Sequence, residues 1–118
     1  MKASIIIPTL NREEILLKTL KGIAGLSGDF EVLVVDQSDT PVKEDLLKSI
    51  DQRIRLVYLK EKGLPNARNI GANEADGEIL IYLDDDVEIQ NLDFIFSTVR
   101  IVISIHELLN QLQPSLWN

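Results

Sequence analysis

Glu78-Ile-Leu-Ile-Tyr-Leu-Asp-Asp-Asp-Val-Glu88 joins an apolar run to three consecutive carboxylates. Ile79 to Leu83 has the length and composition of a short buried strand. Asp84, Asp85 and Asp86 follow at once. Adjacent carboxylates repel one another, so folding alone does not favour the triplet. A hard divalent cation does, because it takes oxygen ligands and offsets the repulsion. In open α/β sheets, ligands bind beyond the carboxyl ends of the strands, where this triplet would lie. The bland alternative is a solvated acidic turn.

Two more segments upstream share this design. Ala3 to Ile7 is apolar and rich in β-branched residues, and ends at Pro8-Thr9. Phe30 to Val35 is a second such run, ending in Asp36. Runs without polar alternation predict strands buried on both faces. Arg53 to Leu59 alternates, which places it nearer a sheet edge.

Helical spacing fills the gaps. Asn11 and Glu14 have the arrangement of a capping box. Leu16, Leu20, Ile23 and Ala24 supply an apolar face, and Gly25 and Gly28 close the helix. Pro41 suits the first turn of a second helix, capped by Asp39 or Thr40 and using Val42, Leu46, Leu47 and Ile50. Pro65 starts a third, from Asn66 to about Ala75. Its face of Ala67, Ile70, Gly71 and Ala75 is small enough to lie close on a sheet. The alternation predicts an α/β fold, a largely parallel sheet with helices on both faces. We expect residues 1–90 to form this domain and 91–118 a helical tail. In the tail Val99, Ile101, Ile103 and Ile105 also alternate like a strand. Its apolar surface suits contact with a second copy of the chain. His106 is expected to be structural.

Composition narrows the function. The chain has 118 residues, a net charge of −7 and no cysteine. Such a charge disfavours nucleic acid as a partner, and no cysteine means no thiolate metal site or thiol nucleophile. The first apolar run is too short for a signal peptide, and none approaches the ~20 residues of a membrane span. The expected location is the cytoplasm, including the cytoplasmic face of the membrane. Dinucleotide and P-loop glycine motifs are missing. Asp36, directly after a buried run, is placed to accept hydrogen bonds from a base or ribose. Arg68, in the first turns of a helix, gains nothing from the helix dipole, which favours anions there. An anionic ligand would explain it, as would a surface ion pair.

Four blocks together resemble the family 2 glycosyltransferases: Ser4-Ile-Ile-Ile-Pro-Thr-Leu-Asn-Arg12, Glu31-Val-Leu-Val-Val-Asp-Gln-Ser-Asp39, Gly63-Leu-Pro-Asn-Ala-Arg-Asn-Ile-Gly71 and Gly77-Glu-Ile-Leu-Ile-Tyr-Leu-Asp-Asp-Asp86. The resemblance implies a Rossmann-like GT-A fold and a nucleotide-diphospho-sugar donor, usually a UDP-sugar. It implies that Pro8, Thr9 and Arg12 line the nucleotide pocket. Asp36 would contact the base, Asp39 would lie in the same loop, and Arg68 near the base and phosphates. Asp84 and Asp86 match the family's Asp-x-Asp motif. There the first acid faces the ribose and the last holds Mn²⁺ or Mg²⁺, with Asp85 as the variable middle position. The family's second half carries the acceptor site and an acidic catalytic base. Residues 87–118 do not match that half, and Glu107 is the one acid after Asp93. We therefore expect a donor-binding half of a truncated GT-A type, its acceptor unknown and its catalytic base unidentified. Two alternatives remain: a non-catalytic nucleotide-binding or oligomerising module, and a phosphatase of the haloacid dehalogenase type. For the latter, Asp84-Asp85-Asp86-Val87 fits the signature, but the strand comes fourth and no Lys follows it.

Overall fold

The computed structural model describes residues 2–88. The expectations for the tail, residues 91–118, lie outside the described residues. Within them the order is β1 (Ala3–Thr9), α1 (Glu13–Ala24), β2 (Phe30–Asp36), α2 (Glu44–Ile50), β3 (Ile54–Tyr58), α3 (Leu64–Glu74) and β4 (Ile79–Tyr82). The four strands form one sheet in the order β3-β2-β1-β4, with every pairing parallel. The chain builds outward from β1 to β3, then crosses back and adds β4 on the other side of β1. That reversal opens a crevice between the carboxyl ends of β1 and β4, where doubly wound sheets bind ligands.

Period-two alternation within the apolar runs distributes the core. Ile5, Ile7, Val32, Val34, Ile54, Ile79 and Ile81 face Leu16, Leu20 and Ile23 of α1 and Leu47 of α2. Ile6, Leu33 and Val35 face Ala67 of α3, with Val57, Leu59, Ala75 and Leu80 around them. Helices therefore cover both faces, α1 and α2 on one side and α3 on the other. β4 departs from the reading of a strand buried on both faces. Ile79 and Ile81 are buried, but Tyr82 on the opposite face is 39% exposed among the described residues.

Helix α3 lies close to the sheet because of Gly71. A Cβ there would come 2.5 Å from Ile6 Cγ2 and 3.3 Å from Val35 Cγ2. Ile6 is fully buried, so the contact is not easily relieved. Gly71→Ala should gain up to about 1 kcal/mol in helix propensity and lose about 1–3 kcal/mol to overpacking. We expect a net loss of about 1–2 kcal/mol in urea unfolding. An unchanged unfolding midpoint would show that α3 moves off the sheet freely.

The opposite end of the sheet is fastened by Glu31, which is buried on β2. Its carboxylate accepts the Ser4 hydroxyl at 2.6 Å, the Asp76 N–H at 2.7 Å and the Arg55 guanidinium at 3.0 Å. Burial works to raise its pKa, but these three donors together hold it below the ordinary value. The Gly77 N–H donates to the same Ser4 hydroxyl at 2.8 Å. β1, β2, β3 and the turn before β4 thus share one polar centre, remote from the ligand edge.

Two local expectations are corrected. Asn11 does not cap α1. Arg12 holds that position without a side-chain cap, and Asn11 has a left-handed backbone at φ 53°. Its side chain instead binds Asp39, accepting the Asp39 N–H at 3.0 Å and donating to Asp39 Oδ2 at 3.2 Å. Neither Asp39 nor Thr40 caps α2, which begins only at Glu44 with Lys43 at its cap position. Pro41 and Val42 precede it, because the Val42 N–H is held by Asp36.

Candidate active site

Parallel register aligns the carboxyl ends of the inner strands. Thr9 pairs with Asp36, and the Gln37 N–H continues the ladder to the Thr9 carbonyl at 3.0 Å. On the other side the Leu83 N–H donates to the Ile6 carbonyl, carrying β4 up to the acidic turn. A cavity of about 450 Å³ opens over this edge. Pro8, Thr9, Leu10 and Arg12 line it from the β1–α1 connection, Gln37, Gly63 and Leu64 from the opposite wall, and Asp84, Asp85 and Asp86 from the end of β4. Its volume lies within the ~300–1,000 Å³ of small-molecule sites.

Alternation continues through the triplet. Asp84 and Asp86 are exposed to the cavity, whereas Asp85 is only 5% exposed. Asp85 accepts the Thr9 hydroxyl at 2.9 Å and faces Arg12 Nη1 at 3.1 Å. Its carbonyl accepts the Thr19 hydroxyl of α1 at 2.6 Å. The position that the sequence reading left as a spacer thus fastens the turn to β1 and α1. Arg12 also reaches Asp86 through Nη2, at 3.3 Å. Arg12 is the only basic side chain lining the cavity among the described residues.

A smaller hollow of about 160 Å³ lies on the far side of Thr9, over Asn11, Asp36, Ser38, Thr40 and Val42. Asp36 is 1% exposed. Its oxygens accept the Ser38 N–H at 2.9 Å and the Val42 N–H at 2.8 Å, which shapes the loop beyond β2. Asp39 lines neither hollow; the Lys62 ammonium at 2.6 Å and the Asn11 amide hold its carboxyl below the ordinary value. Arg68 is exposed and lines neither hollow. It lies near Tyr82, whose hydroxyl is raised in pKa by burial while the Arg68 charge pulls the other way.

Sequence reasoning missed Gln37. It is buried, and its amide donates to the Glu61 carbonyl at 2.8 Å and the Gly63 carbonyl at 3.0 Å. Gly63 has φ 135°, a conformation open to glycine at little cost. Together they fix the loop before α3 as a cavity wall. Nothing local marks a loop glutamine for this role, since its partners lie more than twenty positions away.

Among the described residues no three His, Cys, Asp or Glu side chains form a ready cation cage. Two outward carboxylates on an open cavity still fit Mg²⁺ or Mn²⁺. Mg²⁺ is commonly held by one or two carboxylates plus phosphate oxygens of a bound substrate.

The sequence model of Glycosyl transferase family 2 matches residues 4–94. Validoxylamine A glucosyltransferase of Streptomyces hygroscopicus subsp. limoneus is 36% identical over 91 residues, covering 71% of this chain and 20% of that protein. GalNAc(5)-diNAcBac-PP-undecaprenol beta-1,3-glucosyltransferase of Campylobacter jejuni is 33% identical over 94 residues, covering 75% of this chain and 30% of that one. The crystal structure of S. aureus TarS 1-349 in complex with UDP-GlcNAc superposes with a TM-score of 0.69 at 26% identity, over 82% of this chain and 30% of that one. Mannosyltransferase PcManGT from Pyrobaculum calidifontis, solved with GDP-Man and Mn²⁺, gives 0.64 at 26% identity, over 79% and 30%. The chain thus spans under a third of these relatives' length. By the match over residues 4–94, and with the four-stranded parallel sheet of the described residues, the chain belongs to glycosyl transferase family 2.

Proposed function

We propose that residues 2–88 bind the donor of a cation-assisted glycosyl transfer, a nucleotide-diphospho-sugar with UDP as the preferred nucleotide. The observation that carries this reading is the charge of the cavity. Among the described residues three carboxylates line it against one guanidinium. A diphosphate would be repelled there, unless a divalent cation held at Asp86 offset the charge. The relatives solved with UDP-GlcNAc and with GDP-Man and Mn²⁺ support the ligand class.

Asp86 would hold the cation, with Asp84 facing the ribose. When bound, the cation supplies charge stabilisation for the departing nucleoside diphosphate. Arg12 adds a fixed positive charge on the same side, oriented by Asp85 before any ligand arrives. Pro8 and Thr9 form the floor of the cavity. Asp36 and Asp39 shape the loop beside it, and a lone pair left on Asp36 can accept from a base N–H. Arg68 would add to binding only with a donor long enough to reach the face of α3.

The acceptor hydroxyl must lose a proton to a base. Among the described residues only Asp84, Asp85 and Asp86 bring carboxylates to the cavity lining. We therefore assign the acceptor side and the base to residues outside 2–88. Titration calorimetry with UDP, GDP and dTDP, in Mn²⁺ and then in EDTA, tests the assignment. UDP should bind in Mn²⁺ and not in EDTA. If none of the three binds with the metal present, the donor site is misassigned.

A further inference from the structure

The two contacts of Arg12 differ in kind. Nη1 lies 3.1 Å from Asp85 Oδ1, on a carboxylate that is buried and also accepts the Thr9 hydroxyl. Nη2 lies 3.3 Å from Asp86 Oδ2, whose side chain is 53% exposed. A guanidinium is planar, permanently charged and carries its donors in a rigid fork. Asp85 therefore fixes its plane and delivers the second edge to Asp86.

We propose that Arg12 is a built-in competitor for the divalent cation at Asp86, held in place by Asp85 and displaced when donor and cation bind together. This rests on the reading of Asp86 as the cation ligand. A cation held at Asp86 would place a second positive charge beside the guanidinium. Two positive groups converging on Asp86 repel each other, so cation binding breaks the Nη2–Asp86 pair. The Nη1–Asp85 pair survives, because Asp85 is fastened from the Thr9 and Thr19 sides as well. The released edge stays in the cavity, where diphosphate oxygens are the matching acceptors. A cation arriving alone must break the pair without replacing it. A cation arriving with the donor brings new acceptors for Nη2. Arg12 thereby couples cation and donor binding, and offsets part of the acidic turn's charge in their absence.

The test is titration of Mn²⁺ alone, without nucleotide, into the chain and its Arg12→Gln, Arg12→Lys and Asp86→Asn variants. Binding is followed by calorimetry and by the electron spin resonance signal of free Mn²⁺. Loss of an exposed ion pair should tighten Mn²⁺ binding about fivefold in Arg12→Gln. Arg12→Lys, which keeps the charge but loses the fork, should fall between it and the native chain. Asp86→Asn should abolish the binding. General damage to the site would weaken binding, so a gain in affinity separates competition from a merely structural role. If Asp86→Asn loses Mn²⁺ but Arg12→Gln binds it no better than the native chain, the competition is overturned and the cation site stands. If neither the native chain nor Arg12→Gln binds Mn²⁺ alone, the competition is overturned, and the cation reading is decided separately by UDP binding in Mn²⁺ and in EDTA.

Discussion

Asp86→Ala should abolish Mn²⁺-dependent UDP binding while leaving the unfolding midpoint of the free protein almost unchanged. The two halves of this expectation have separate causes. On the stability side, the Asp86 side chain is about half exposed and its one ion-pair partner among the described residues is Arg12, at 3.3 Å. Exposed ion pairs contribute about 0–1 kcal/mol, and removing one of three adjacent acids relieves repulsion. The net change should stay within about 0.5 kcal/mol, as for most surface substitutions. In a domain of this size that is about 2–4 °C in Tm. On the binding side, Asp84 and Asp86 are the two exposed carboxylates of the turn. With Asp86 gone the cation loses the carboxylate proposed to hold it, and the diphosphate meets a cavity that is still acidic. Calorimetry in Mn²⁺ and in EDTA, beside a thermal melt without ligand, reads both effects. Native-like UDP affinity in the variant would remove Asp86 from the metal site. A Tm lowered by much more than a few degrees would make it a structural residue.

The fold was largely legible because the apolar runs are unbroken. Ile5-Ile6-Ile7 and Val32-Leu33-Val34-Val35 can be buried only if both faces of the sheet are covered, which forces helices onto both sides and a parallel order. β4 was overread for the same reason. An apolar run does not say which face is covered, and Tyr82 is exposed among the described residues. The site was legible as an edge rather than as an arrangement. Pro8, Thr9, Arg12, Asp84 and Asp86 line one cavity. Three identical residues in a row, however, carry no sign of which one turns inward. Asp85 does so because its partners Thr9 and Arg12 are more than seventy positions away in sequence. Long-range pairing likewise hid the bond from Asn11 to Asp39, where a local capping rule named a different partner. Glu31 had no separate reading in the sequence, because only the fold brings Ser4, Arg55 and the Asp76 N–H to its carboxylate.

Asp36 is where the sequence reading and the geometry pull apart most, and it carries the second large effect. Its position after a buried strand suggests a ligand contact, yet the carboxylate is 1% exposed and accepts two backbone N–H groups. A hydrogen bond to a charged acceptor contributes about 1.5–3 kcal/mol, and a buried donor left unpaired costs about 1–3 kcal/mol. Asp36→Ala strips the acceptor from both the Ser38 and Val42 N–H groups. We expect a loss of about 3–5 kcal/mol in urea unfolding, allowing for partial rescue of the loop by water. Asp36→Asn keeps one acceptor oxygen but turns an NH₂ toward the other donor, so it should lose about half as much. The ordering separates the roles. If Asp36 served only a nucleobase, both variants would unfold like the native protein and differ only in UDP affinity. If it served only the loop, Asp36→Asn would bind UDP as well as its folded fraction allows. Our reading is that both hold, since each carboxylate oxygen has a second lone pair. Asp36→Asn, titrated at a urea-free temperature where it is fully folded, should then still bind UDP more weakly than the native chain.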